Sequence, residues 1–125
     1  MIHKGNLEII EGDTTDYSEL TKVTGNLYIN SNANLKAPQL KSVGGELYIN
    51  SNADLKVLKS VGGYLSIYSN ADLKALKSVG GYLSTYSNAD LKAPHLISNS
   101  SMFYIVYRKY LICCQFIFAI FIKPF

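Results

Sequence analysis

The sequence has few of the residues that build disulfide frameworks, metal centres or catalytic sites. Its only cysteines, Cys113 and Cys114, are adjacent, and this arrangement is neither a disulfide framework, a metal-ligand spacing nor a C-x-x-C redox motif. Its two histidines, His3 and His95, are far apart and pair by spacing with no nucleophile or second ligand. The chain has no G-x-S-x-G, P-loop or dinucleotide-binding motif. These absences predict a protein that is not an enzyme and uses no cofactor or metal.

The charge balance disfavours nucleic acid as a partner. The chain has twelve basic and nine acidic residues, so no global attraction to nucleic acid is expected. The acids are unevenly spread, because five lie in the first twenty residues beside Lys4 alone: Glu8, Glu11, Asp13, Asp16 and Glu19. We expect this segment to face water at one end of the molecule. The amino terminus lacks the apolar run of a signal peptide, which predicts a cytoplasmic chain unless the sequence is a fragment.

Four near-copies of one phrase, V-x-G-x-L-x-x-x-S-N-A-x-L-K, run from Val23 to Ser98. The copies are 20, 18, 18 and 20 residues long and begin at Val23, Val43, Val61 and Val79. A fixed period in this range is typical of a solenoid, whose units bury apolar surface by stacking on their neighbours. The repeats therefore predict a single all-β domain that is a parallel β-solenoid with rungs of 18–20 residues.

Each repeat is predicted to form one short strand and a tight return loop. In the second copy the stretch E-L-Y-I-N, residues 46–50, alternates polar and apolar residues, which is the period of a half-buried strand with Leu47 and Ile49 inward. The glycine pair at 44–45 permits a turn that a side chain would obstruct. The S-N pair at 51–52 offers short polar groups that turn the chain again. A helix is disfavoured, because two glycines recur in most turns.

Stacking the repeats places like residues in columns along the coil. The expected inward columns are Val23/Val43/Val61/Val79, Leu27/Leu47/Leu65/Leu83, Ile29/Ile49/Ile67 with Thr85 interrupting, and Leu35/Leu55/Leu73/Leu91. A structural ladder of asparagines is expected at the turn after each strand, formed by Asn32, Asn52, Asn70 and Asn88. Stacked amides can exchange hydrogen bonds and satisfy turn amides. The two longer copies carry A-P-Q at 37–39 and A-P-H at 93–95, where we expect a larger loop.

Both ends of the array depart from the repeat. Residues 1–22 contain G-N-L-E-I at 5–9 but lose S-N-A-x-L-K and gain acids, as expected for an end-capping rung. The four copies fill residues 23–98. Residues 99–107 form a degenerate last strand in which Phe103 and Ile105 take the inward positions. The solenoid domain is thus predicted to span residues 1–107 with about six rungs, followed by a hydrophobic tail at 108–125.

The phrase V-G-G-x-L-x-I-x-S-N-A-D-L resembles the repeats of leucine-rich-repeat-like proteins, especially the receptor L-domain type. The shared features are the glycine turn before the strand, the L-x-I strand and the asparagine turn after it, and they cover about four-fifths of the chain. The resemblance implies a right-handed coil of parallel strands. It also implies a non-catalytic module that binds proteins or glycans, although it transfers no functional residue.

The outward face of the predicted sheet is the candidate binding surface. Its three columns are Asn26/Glu46/Tyr64/Tyr82, Tyr28/Tyr48/Ser66/Ser84 and Asn30/Asn50/Tyr68/Tyr86. Six tyrosines therefore share one face, and tyrosine offers rigid contact area with a hydroxyl group. Two interpretations remain at this point. The face binds a protein or glycan partner, or the aromatic rings only stabilise neighbouring strands.

Charged residues are also predicted to stack. The lysine columns are Lys36/Lys56/Lys74/Lys92 and Lys41/Lys59/Lys77, and Asn34/Asp54/Asp72/Asp90 lies two positions from the first. Such columns offer contacts to phosphates or an acidic partner, but a mixed and solvated charge ladder is the preferred interpretation. One carboxylate per turn without D-x-D clustering is weak support for calcium.

The tail changes character abruptly. Residues Tyr110 to Ile122 carry no charge over 13 positions, whereas a bilayer span needs about 20 apolar residues. Three interpretations remain. The tail is a hydrophobic cap on the last rung, a membrane-associated segment with Cys113 and Cys114 as candidate acylation sites, or the scar of a truncated longer repeat protein without independent function.

Overall fold

The computed structural model describes residues 1–51, 53–69, 71–85, 91–92, 94–96 and 104–106. Every regular element in this part of the chain is a strand. The strands are β1 Ile2–His3, β2 Leu7–Ile9, β3 Lys22–Val23, β4 Leu27–Ile29, β5 Leu35–Lys36, β6 Ser42–Val43, β7 Leu47–Ile49, β8 Ala53–Asp54, β9 Ser60–Val61, β10 Leu65–Ile67, β11 Ala71–Asp72, β12 Ser78–Val79, β13 Leu83–Thr85, β14 Leu91–Lys92 and β15 Tyr104–Val106.

Eleven of the strands stack into two parallel sheets that run along the coil, and β5 pairs with β8 and β11 with β14 in two two-stranded sheets. Sheet 1 has the order β1-β3-β6-β9-β12, and sheet 2 has the order β15-β13-β10-β7-β4-β2. Four turns of coil connect β1 to β12, and each turn contributes one strand to each sheet. The prediction of an all-β parallel solenoid is therefore confirmed. The glycines between the valine and the leucine of each repeat mark the corner between the two sheets, so a rung has a second short strand that the repeat pattern did not reveal.

The core lies between the sheets and is filled by the predicted columns. Val43, Leu47 and Ile49 are each 1% exposed, and the register sets Leu27, Leu47, Leu65 and Leu83 opposite one another in sheet 2. Alternation along each three-residue strand turns the first and third side chains inward. Thr85 is also buried and pairs with Ile67, as the interrupted isoleucine column predicts.

The first glycine of each pair is required by close approach between rungs. A Cβ on Gly62 would overlap the carbonyl oxygen of Gly44, and a Cβ on Gly80 would overlap that of Gly62. Neither glycine has a positive φ, since the glycines of the described part with that conformation are Gly5 and Gly12. The recurring glycine therefore provides space for neighbouring backbones rather than access to the left-handed region.

In the return segment, the part of each repeat that follows the S-N turn, the observed strand pairing differs from the predicted columns. Leu35 lies opposite Ala53, and Lys36 lies opposite Asp54, so the expected Leu35/Leu55 and Lys36/Lys56 pairings are wrong. The physical reason is a turn that every rung keeps: the amide of Leu40 donates to the carbonyl of Ala37, as Leu58 does to Leu55 and Leu76 to Leu73.

Because this turn stays aligned between rungs, the two extra residues of the longer repeat lie before it in the sequence. They extend the turn after the strand, where Ala33 donates to the carbonyl of Asn30, and A-P-Q at 37–39 forms no larger loop. The last long repeat follows the same rule, because Ala71 pairs with Leu91 and Asp72 with Lys92. The predicted Leu73/Leu91 pairing is therefore also wrong.

The first rung has the same construction as the later rungs despite its different sequence. Leu7, Ile9 and Leu20 are buried, and Leu20 donates to the carbonyl of Tyr17 in the same kind of turn. The sixth strand of sheet 2 also exists, as β15. Its register differs by one residue from the prediction, because Tyr104 and not Phe103 pairs with Leu83. Phe103 and the tail at 108–125 lie outside the described residues.

Candidate functional site: the tyrosine face

Sheet 2 carries tyrosines on its outward side, which we call the tyrosine face. Tyr28 and Tyr48 are the middle residues of β4 and β7 and lie directly opposite each other. The middle residue of a three-residue strand points away from the core when its neighbours point inward. Tyr64 and Tyr82 precede β10 and β13, and Tyr68 follows β10.

The tyrosines differ in how much of each side chain reaches solvent. Tyr48 is 36% exposed, Tyr64 46% and Tyr82 42%, whereas Tyr28 and Tyr68 are half-buried. Tyr86, the sixth predicted member, lies outside the described residues. The three exposed rings come from three successive rungs, so accessible aromatic side chains recur along the coil.

The rings contact one another in two groups. Tyr48 packs edge-to-face against Tyr28 and Tyr68, with ring centroids 6.1 Å and 5.1 Å apart. Tyr64 and Tyr82 stack with centroids 4.9 Å apart and ring planes 16° from parallel. Both arrangements are favoured by aromatic quadrupoles, and they hold the rings in fixed orientations before any partner arrives.

Hydrogen bonds fix several polar groups on the same face. The hydroxyl of Tyr48 donates to that of Tyr68 at 2.9 Å, and the side-chain amide of Asn26 donates to the hydroxyl of Tyr28 at 2.8 Å. Asn30 donates to the carboxylate of Glu8 on the preceding rung at 2.7 Å. The face thus combines tyrosine rings with hydrogen-bonded polar side chains.

The asparagine ladder is described at its first member alone. Asn32 is exposed and adopts the left-handed conformation with φ 62°, which asparagine tolerates better than most residues. Asn52, Asn70 and Asn88 lie outside the described residues. Serines connect the rungs at this corner, since Ser51 donates its hydroxyl to the carbonyl of Ala33 and Ser69 donates to that of Ser51.

A second pair of asparagines was missed by the sequence analysis. The side-chain oxygen of Asn6 accepts from the amide of Asn26, and the side-chain oxygen of Asn26 accepts from the amide of Glu46, both at 2.8 Å. These bonds connect the first three rungs beside the glycine corner. The recurrence of G-N-L at residues 5–7 and 25–27 was the available signal.

The first charged column is interleaved with opposite charge. Lys36 lies opposite Asp54 in the strand pair, and the amine of Lys56 lies 4.0 Å from the same carboxylate. The mixed ladder predicted here is present in the described part, with a different register. The other lysine column, Lys41/Lys59/Lys77, follows the predicted alignment, because the amide of each lysine bonds to the carbonyl of the residue one rung below.

The acidic segment between β2 and β3 forms a folded loop. The carboxylate of Asp13 accepts from the amide of Thr15 at 2.9 Å and from the hydroxyl of Tyr17 at 3.0 Å. The hydrogen bond from the Thr15 backbone lowers the pKa of Asp13, and that from the Ser18 backbone lowers the pKa of Asp16. Burial raises the pKa of Tyr17, whose ring packs against the core.

A cavity of about 450 Å³ separates this loop from the return segments. Asp13, Asp16 and Asp54 line it together with Lys36. No three histidine, cysteine or acidic side chains are grouped as metal ligands within the described ranges. His3 bonds through Nε2 to the carbonyl oxygen of Asn6 at 2.9 Å, and His95 is exposed after the fifth rung.

Two further comparisons bear on function. Within the part of the chain that the structure describes, no helix is long and apolar enough to cross a membrane, and the tail from Tyr110 to Ile122 lies outside that part. Comparison of the chain with protein-family models, curated proteins and solved structures found no match.

Proposed function

We propose that this protein is a non-catalytic repeat module that binds a protein partner through the tyrosine face. The observation that carries this proposal is the set of three exposed rings on successive rungs, Tyr48, Tyr64 and Tyr82, held in place by ring packing and hydrogen bonds. Pre-ordered tyrosines lose little conformational entropy on binding, and exposed aromatic patches mark interaction sites.

Ring geometry favours a protein over a glycan at this face. Tyr64 and Tyr82 each cover one face of the other, and Tyr48 and Tyr68 use their hydroxyls on each other. A sugar ring packs best on an open aromatic face flanked by free hydrogen-bonding groups, whereas a protein can use ring edges and apolar area. A glycan partner is therefore the alternative that the binding test distinguishes.

We further propose that the repeats are of the leucine-rich-repeat-like, receptor L-domain type. Support comes from the L-x-I strand of each repeat, which supplies the strands of sheet 2, and from the glycines that precede it at a tight corner between sheets. This family assignment adds a protein-binding role by analogy of fold, which is weaker support than the tyrosine face itself.

The test compares binding by the wild type and a triple variant, Tyr48→Ala with Tyr64→Ala and Tyr82→Ala. Peptides selected from a random displayed library on the wild type, and a glycan array, serve as the two probes. We expect selected peptides to lose at least about 100-fold in affinity, because truncation of three aromatic anchors removes more than 1 kcal/mol each. Circular dichroism verifies that the variant is folded.

The matched control replaces the same three residues with phenylalanine. It keeps the rings and removes the hydroxyls, so most of the affinity should remain if aromatic area dominates. Equal affinity of the alanine variant and the wild type would place the peptide site elsewhere. If the wild type binds the glycan array and no peptide is selected, the partner is a glycan and not a protein.

A further inference from the structure

Five lysines lie in or next to the strands of sheet 1. Lys22 is in β3, Lys4 follows β1, and three more directly precede β6, β9 and β12: Lys41, Lys59 and Lys77. All five are exposed. The acidic residues nearest to them along the chain are three to five positions away: Glu8, Glu19, Glu46, Asp54 and Asp72. The strands of sheet 1 and the residues next to them are therefore basic, although the whole chain is nearly balanced.

Three of these lysines form a straight column. The amide of Lys59 donates to the carbonyl of Lys41, and the amide of Lys77 donates to that of Lys59, both at 2.8 Å. Adjacent strands lie about 4.8 Å apart, and like charges opposite each other are destabilising. In the described part of the chain the one ion pair within 4.0 Å joins Lys56 to Asp54, so this column has no internal counter-charge.

A second set of lysines, on the return segments, lies beside carboxylates. The amine of Lys56 lies 4.0 Å from the carboxylate of Asp54, and Lys36 lies opposite Asp54 in the strand pair. Lys74 lies two positions from Asp72 along the chain. The chain therefore offers two sets of three lysines, of which one has carboxylates beside it and the other makes no ion pair within 4.0 Å in the described part of the chain.

A shallow groove of about 380 Å³ lies along sheet 1, and Lys41, Lys59 and Lys77 directly precede the serines that line it. Its floor repeats one serine and one glycine on each rung: Ser42/Gly44, Ser60/Gly62 and Ser78/Gly80. Lys22 closes the end toward the first rung.

We propose that this groove, which we call the serine groove, binds a linear acidic polysaccharide such as a polyuronate. The chain of sugars runs along the coil, its carboxylates meet Lys41, Lys59 and Lys77, and its hydroxyls meet the serine hydroxyls. This site is separate from the peptide site proposed on the tyrosine face, and either can fail without the other.

Other polyanions fit the groove less well. Single-stranded nucleic acid needs open aromatic faces for its bases, and the rings of Tyr64 and Tyr82 are stacked on each other. An acidic protein segment needs apolar or aromatic anchors in pockets, whereas the floor has serine and glycine with the valines beneath them buried. Repeating hydroxyls beside repeating amines instead match a ligand with repeating hydroxyls and carboxylates.

The test measures binding of four probes to the full chain by calorimetry at one fixed salt concentration. The probes are oligogalacturonate, neutral dextran, poly-glutamate and a single-stranded DNA of matched charge. We expect oligogalacturonate to bind most tightly and dextran not to bind. The variant Lys41→Gln with Lys59→Gln and Lys77→Gln should bind oligogalacturonate at least tenfold more weakly.

The matched control is Lys36→Gln with Lys56→Gln and Lys74→Gln, which removes the same charge from the return segments. It should change the affinity by less than twofold. Equal losses in the two lysine variants would show general electrostatic attraction and overturn the site. No binding of oligogalacturonate by the wild type would overturn it as well.

A serine variant separates saccharide recognition from charge. Ser42→Ala with Ser60→Ala and Ser78→Ala leaves the lysines in place and should weaken oligogalacturonate at least fivefold while leaving poly-glutamate unchanged. If poly-glutamate or DNA binds the wild type as tightly as oligogalacturonate, the groove recognises charge alone and the polysaccharide proposal is wrong.

Discussion

Gly62 illustrates how a single residue position constrains the coil. Its backbone approaches the carbonyl of Gly44 so closely that a Cβ has no room, and the obstructing atoms are backbone. Gly63 has a milder restriction, since its nearest neighbour would be the carbonyl carbon of Gly45 at 3.1 Å. Two adjacent glycines thus differ in what they contribute, although the sequence presents them as an equivalent pair.

We predict that Gly62→Ala lowers the free energy of unfolding by about 2–3 kcal/mol, because the added methyl group forces two rungs apart. Gly63→Ala should cost less, about 1 kcal/mol, because a shift of a few tenths of an ångström relieves the contact. Urea denaturation of both variants measures the difference. An equal or larger loss for Gly63→Ala would contradict the close approach as the reason for the repeated glycine.

Among the elements, the loop between β2 and β3 depends most on ionised side chains. Asp13 and Asp16 accept backbone amides two residues ahead, at 2.9 Å each, and these bonds stabilise the charged carboxylates. Tyr17 joins the loop to the core through its ring. The acidic composition that sets this rung apart from the others therefore builds its turns.

We predict that the melting temperature falls in acid because of these two carboxylates. Each has a folded-state pKa below its ordinary value of 3.8, so its stabilising contribution is present above that value and is lost as the pH falls through the lower folded pKa. Asp13→Asn with Asp16→Asn should flatten the acid limb of a melting curve series between about pH 2 and 6. Glu11→Gln, also exposed, is the control.

At alkaline pH, the melting temperature is predicted to fall as the pH rises. The pKa of Tyr17 is raised above its ordinary value of 10.0, so the stability that this group contributes is present below that pH and is lost as the pH rises through the folded pKa. Tyr17→Phe should remove this alkaline loss. A variant series that keeps the wild-type acid and alkaline limbs would show that other groups control them.

At the scale of the whole molecule, each rung contacts its neighbours along one axis. The isoleucine column shows this clearly: Ile9, Ile29, Ile49 and Ile67 pair in sequence, and Ile9 and Ile49 are both 1% exposed. Ile49 has a rung on either side, whereas the first rung ends both sheets of the described chain. The two isoleucines therefore have the same exposed fraction but different numbers of neighbouring rungs.

We predict that Ile49→Ala destabilises the protein by about 4 kcal/mol and Ile9→Ala by about 2 kcal/mol, within the range for buried isoleucine truncation. Stability in a solenoid is approximately a sum of rung and interface terms, and the central substitution weakens two interfaces. Guanidinium denaturation measures both variants. Equal losses would mean that the coil unfolds with no distinction between central and terminal rungs.

Much of the architecture was predictable because the repeat is nearly invariant. An L-x-I strand between glycines and S-N turns has one compatible pattern of burial, so Leu47, Ile49 and their equivalents were placed correctly. The return register was not predictable, since two extra residues fit either at the asparagine turn or at A-P-Q. The turn from Ala37 to Leu40 decides between them, because the equivalent turns at Leu55–Leu58 and Leu73–Leu76 stay aligned when the rungs stack.

The sequence by itself determined the parallel coil, its inward columns and the gathering of tyrosines on one side, because period-two alternation fixes which way a side chain points. The tertiary structure alone decided which charges face each other and how the rings are oriented. The carboxylate of Asp54 lies 4.0 Å from the amine of Lys56, whereas Lys41, Lys59 and Lys77 make no ion pair within 4.0 Å in the described part of the chain. The physical reason is that these contacts depend on register between rungs, and register follows from the packing of the complete turn.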